Sequence, residues 1–211
     1  MKILKYELMP KDEFLGKLRQ VRLKGFDRPY IYRDAGLDFL GLADTNLLSP
    51  PQRYVLKDTI DAIVELDRAF TLLGVDIFDL HGALMFWLEG SDPGVDQPIP
   101  FLPPVVEESF ETTGSILLIN DGMHRVWTAR KLGRPITVMV AMNVPRAYPY
   151  YAYPWTGGFD SVEELVELPD EYQKKNYRNP ENYKALFRQF NEVFPGVQAQ
   201  RKQSNPAHIK E

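Results

Sequence analysis

Asn120-Asp121-Gly122-Met123-His124-Arg125 gathers more chemistry than any other stretch of this sequence. An apolar run at residues 115–119 precedes it and a periodic segment follows, so a strand is expected to turn through Gly122 into a helix. The first four N–H groups of a helix lack partners within it and carry the positive end of the helix dipole. Gly122 allows close backbone approach and Arg125 can grip two oxygens at once, which makes the turn a candidate phosphate site. Asp121 could serve such a site as metal ligand, proton acceptor or helix cap. The same residues also suit a plain capped turn with His124 and Arg125 at the surface.

Several elements must position this turn. The helix is expected over residues 123–133, stopped by Gly133 and Pro135, with a second strand at 136–141. Upstream, residues 52–73 form the longest periodic segment: Leu56, Ile60, Ile63 and Phe70 share a face with Val64 and Leu73. Ser49 is its candidate N-cap and Gly74 its stop. Residues 75–80 and 83–88 read as short strands, the second buried on both sides, with His81 at the turn between them as a structural residue. Residues 89–97 form a loop, and the prolines of 98–106 keep that stretch extended.

At the N-terminus, residues 1–8 suit an edge strand and 10–23 a helix entered at Pro10. Gly25, Pro29, Gly36 and Gly41 leave 25–49 irregular, an extension or a lid, and residues 1–44 are expected as an N-terminal extension. Beyond Asn143-Val-Pro-Arg146, the aromatic run 148–155 could wall a pocket, stack a base, or form the seam on which C-terminal helices dock. Ser161 and Glu164 have capping-box spacing. Asn179-Pro180 opens a last helix carrying Tyr183, Phe187, Phe190 and Phe194 on one face. Residues 198–211 form a polar, frayed tail.

Composition bounds the function. The 211 residues are 44% apolar and 26% charged, as in an ordinary globular protein. A net charge of −4 opposes nucleic-acid binding by phosphate neutralisation, although a local basic patch remains open. With no cysteine there is no disulfide, thiolate metal site or thiol nucleophile. Neither a signal peptide nor an apolar run of spanning length is visible, so a cytoplasmic location is expected. Walker A, His-Glu-x-x-His and Gly-x-Ser-x-Gly patterns are absent, and His81, His124 and His208 are too scattered for a zinc cage.

Asp121-Gly122-Met123-His124-Arg125, with Ala129 and Leu132-Gly133, resembles the nucleotide-site motif of the ParB/sulfiredoxin superfamily. Sulfiredoxins carry Gly-Cys-His-Arg there, ParB proteins Gly-Glu-Arg-Arg, and the ADP-dependent free-serine kinases Asp-Gly-His-His-Arg. The kinase branch is nearest, because Tyr151-Ala-Tyr-Pro154 and the stretch 159–168 are also similar to it. The likeness spans residues 45–168. It implies an α+β domain at 45–156, a small mixed sheet flanked by helices, followed by a C-terminal helical segment over 157–211. It also implies ATP or ADP as ligand, with CTP possible, and Mg²⁺. Gly122, Met123, His124 and Arg125 would then bind nucleotide. Thr59 and Gln52 join them from the first turns of the 52–73 helix, Thr59 through its hydroxyl. Asp121, His124 and Glu107 become the catalytic candidates, Asp121 also holding metal. The Glu107-Glu108 pair enters because a strand at this place borders the family's site; by itself it reads as a solvated loop pair.

The departures matter. Met123 stands where sulfiredoxins have their essential cysteine and the kinases a second histidine. Gln52 aligns with the glutamate that resembles a general base in the kinases, and a neutral amide cannot take a proton. Either Asp121, Glu107 or Asp58 replaces it, or the chain is not that kinase. Two readings therefore stand: a small-molecule kinase acting on a serine-like hydroxyl, or a nucleotide-binding module or NTPase switch that acts through a protein partner.

Overall fold

The computed structural model describes residues 1–112 and 114–196. The chain begins with β1 (Ile3–Met9), α1 (Lys11–Leu18), β2 (Gly36–Leu42), β3 (Leu48–Ser49) and β4 (Tyr54–Leu56). α2 (Lys57–Thr71), β5 (Ala83–Leu88), β6 (Ile99–Phe101), β7 (Val105–Glu111) and β8 (Gly114–Asp121) follow. α3 (Met123–Lys131), β9 (Ile136–Met142), β10 (Glu163–Leu165) and α4 (Phe190–Val193) complete it. The fold is α+β, as expected. A five-stranded mixed sheet in the order β2-β9-β7-β8-β3 lies at its centre. β1-β5-β6 form a separate antiparallel sheet, and β4 pairs with β10 in parallel.

Alternate residues of a strand point to opposite faces, and both faces of β9 meet a core, which explains why β9 is apolar almost throughout. Val106, Val138, Val140 and Ile119 share a core with α2 (Ile60, Ile63, Leu66, Phe70) and α3 (Met123, Val126, Ala129). Their sequence neighbours Val105, Met139 and Ala141 pack in a second core with Phe14, Leu18, Leu23, Tyr32, Phe190 and Phe194. Residues 1–44 supply β2, which pairs with β9 along its whole length, and much of that second core.

Five local expectations are corrected. Residues 52–56 are not helical, because Tyr54–Leu56 pair with Glu163–Leu165, and α2 starts only where that pairing ends. Ser49 accordingly belongs to β3 and caps nothing, and residues 161–165 end as a strand instead of opening a helix. Residues 75–80 make a turn, not a strand: the Asp76 carboxylate accepts the Phe78 N–H at 2.9 Å. The helix expected over 10–23 stops at Leu18, since Val21 and Leu23 pair with Ile31 and Pro29.

The expected C-terminal helix after Asn179 is a 3₁₀ turn, Tyr183–Leu186, and the four-residue α4. Lys24, Gly25 and Gln189 donate across to Phe187, Ala185 and Arg22, and this cross-chain pairing displaces helical bonds. The expected tail, 198–211, lies outside the described residues. No helix among the described residues is long and apolar enough to cross a membrane.

Candidate functional site

β8 extends to Asp121, and Gly122 turns the chain with φ 91° and ψ 21°, a left-handed conformation that glycine adopts without strain. α3 begins at Met123 and ends in a complete Schellman motif. Gly133 (φ 63°) donates to Arg130 and Arg134 to Ala129, which satisfies the last carbonyls. The strand, turn and helix read from sequence are all present.

The side chains of the turn take up distinct stations. Arg125 folds back over Gly122, donating to the Asp121 carboxylate and to the Leu102 carbonyl, with Cζ 5.5 Å from the Phe101 ring centroid. Both side chains of this pair are largely buried, 13% exposed for Arg125 and 10% for Asp121. A methyl group on Gly122 would stand 2.8 Å from Arg125 Nη2 and from Pro104 Cβ. The glycine thus makes room for the arginine and for the proline-rich strand. Met123 is buried in the core below.

His124 ties two helices together. Its Nε2 accepts the N–H of Leu56, the N-cap residue of α2, at 2.9 Å. The amino ends of α2 and α3 are therefore joined, and Thr59, half-buried, lies in the first turn of α2. Lys57 and Asp58 are exposed beside it.

Gln52 and Glu107 sit elsewhere. Gln52 is buried in the loop before β4, and its amide donates to Tyr54 O at 2.8 Å. Glu107 is no solvated loop residue: it is buried in β7 with 2% exposure. Its carboxylate accepts Arg188 Nε and Nη2, both at 2.8 Å, Tyr32 Oη at 2.5 Å and Asn120 Nδ2 at 2.5 Å. Burial, then the facing Glu107 carboxylate, push the Tyr32 hydroxyl well above its ordinary pKa. Burial opposes the charge of Arg188, but Glu107 outweighs it and raises that pKa. This network occupies the second core, across the sheet from α2 and α3.

Arg53 escaped the reading of single residues. It lies between Trp155 and Tyr172, its Cζ 5.3 and 4.9 Å from their ring centroids, and Nε donates to Tyr172 Oη at 3.1 Å. Its local signal is its place at the end of Ser49-Pro-Pro-Gln-Arg53, directly ahead of Tyr54. Trp155 also borders a cleft of about 340 Å³ with Asn46, Ser49, Pro50 and Phe159. Phe159 stacks on Trp127 of α3. The aromatic run divides: Tyr151 packs against Tyr177, Tyr183 and Phe187 as a docking seam, while Trp155 walls the cleft.

Among the described residues no group of three or more His, Asp or Glu gathers to hold a metal, and the Asp121 carboxylate is engaged by Arg125.

Comparison with known proteins returns no matching curated protein and no matching solved structure. A family model does match: that of the ParB CE domain, over residues 13–163. The match takes in both joined helix ends, the Gly122 turn and the central sheet. With well over half its length so covered, the chain belongs to the ParB CE domain family.

Proposed function

We propose that this chain is a nucleotide-binding module that holds the phosphates of ATP, ADP or CTP at the joined amino ends of α2 and α3 and acts through a protein partner. The hydrogen bond from Leu56 N–H to His124 Nε2 carries this reading, because it holds the amino ends of two helices side by side, and helix amino ends favour anions. The nucleotide phosphates would draw Arg125 away from Asp121 and Leu102 O, exchanging one charge-assisted contact for another. Any Mg²⁺ would arrive with the phosphates.

Phosphoryl transfer to a serine-like hydroxyl is the second reading, and one observation favours it. Asp58 stands exposed in the first turn of α2, whereas Asp121 is paired with Arg125 and Glu107 is enclosed by Arg188. Asp58 would then be the proton acceptor.

One experiment separates the readings. Nucleotide binding is measured by calorimetry, and turnover is followed with and without serine and related hydroxyl metabolites. Binding without acceptor-dependent turnover is the expected outcome, and Arg125→Ala should weaken it about tenfold to a hundredfold. Acceptor-dependent turnover that Asp58→Asn abolishes would replace the module with the kinase. Absence of binding to all three nucleotides removes both.

A further inference from the structure

Away from the nucleotide site, the ribbon formed by residues 21–31 carries a cationic surface. Val21, Leu23 and Ile31 are buried, and Arg22 and Tyr30 pair in an antiparallel bridge. Their side chains alternate with the buried ones on a braced backbone, since Leu23 donates to Pro29 and Ile31 to Val21. Arg22 and Arg33 both lie over the Tyr30 ring, Cζ 4.2 and 4.1 Å from its centroid. Arg22 also donates to the Tyr30 hydroxyl.

Other cations of this region are already engaged. Arg19 donates to the carbonyls of Tyr32, Arg33 and Ala35, and Arg28 pairs with Glu192. Among the described residues neither Arg22, Lys24 nor Arg33 forms an ion pair with a carboxylate. Two guanidinium groups held over one ring repel each other, and among the described residues no carboxylate is paired with either. In a chain of net charge −4, residues 17–34 contain six Lys or Arg against two Asp.

We propose that Arg22, Tyr30 and Arg33, with Lys24 beside them, form a docking surface for an acidic segment of a protein partner. Carboxylates of that segment occupy the two guanidinium forks while its backbone crosses the tyrosine. Three cations are few for a duplex, whose binding proteins commonly neutralise about six to ten phosphates, and the overall negative charge repels one. A peptide also accounts for Phe26. This side chain is 48% exposed at the ribbon's tip, against Tyr148, and offers an apolar contact next to the charged ones.

Fluorescence anisotropy of a labelled short glutamate-rich peptide tests the surface in the full chain, at low and at physiological salt. Binding should weaken with salt and fall about tenfold or more in Arg22→Gln/Arg33→Gln. Lys2→Gln/Arg68→Gln removes the same charge from distant exposed sites and should keep affinity within about twofold. Thermal melting checks that each variant is folded, and Arg33→Gln alone, at an exposed position, should still lose part of the binding. Three results overturn the proposal: no binding by the wild type at low salt, equal losses in both double variants, or a DNA duplex bound more tightly than the peptide through the same arginines.

Discussion

Glu107 and Arg188 stand 81 residues apart in sequence and form a doubly hydrogen-bonded ion pair with almost no solvent exposure. Arg188 Nη1 and Nη2 also hold the carbonyls of Leu186, Pro149 and Tyr148, so one guanidinium fastens the C-terminal segment to the central sheet. Tyr32 and Asn120 add the N-terminal segment and the strand that leads to the Gly122 turn.

Breaking one half of this pair leaves the other charge buried and uncompensated. Glu107→Gln and Arg188→Met should each cost about 3–5 kcal/mol of folding stability, measured by denaturant unfolding. The double variant Glu107→Gln/Arg188→Met should cost less than the sum, because no lone charge then remains inside. Additive losses would show that the pair has no energetic coupling.

Gly122 tests the turn directly. Gly122→Ala places a methyl group against Arg125 and Pro104 at a φ of 91°, so both sterics and backbone oppose it. A loss of about 1–3 kcal/mol is expected, together with weaker nucleotide binding as Arg125 is displaced. A stable variant with unchanged affinity would mean that neither the left-handed turn nor the arginine's station matters.

Glu164 gives the pH dependence. Its carboxylate accepts Lys131 Nζ and Trp127 Nε1 from α3. The lysine, then the indole, hold its pKa below the ordinary 4.5. The unfolded chain therefore binds this proton more readily than the folded one. The bridge contributes fully above pH 4.5 and is lost as pH falls through the depressed value. The melting-temperature difference between wild type and Glu164→Gln should accordingly be present at neutral pH and vanish in acid. A difference that persists unchanged into acid would assign it to packing alone.

The sequence by itself determined the strand, glycine turn and helix around residues 115–133, because each boundary is a local matter. Apolar residues 116–119, Gly122 and the Gly133-x-Pro135 stop each act over a few residues of chain, and the Schellman bonds follow from the last. The amphipathic face of α2 was legible for the same reason, since Ile60, Ile63 and Phe70 repeat at helical spacing and are buried. Only the tertiary structure decided the rest. Residues 52–56 and 161–165 have helix-compatible caps, but Tyr54–Leu56 and Glu163–Leu165 become strands because each lies beside the other. Glu107 looked solvated next to Glu108, yet Tyr32, Asn120 and Arg188 converge on it from 75, 13 and 81 positions away. Arg125 reads as a phosphate clamp, and although its Asp121 partner is four residues away, only the fold brought Pro104 and the Leu102 carbonyl around it. Local propensity carries information over a few residues, whereas a buried charge finds its partner through long-range packing.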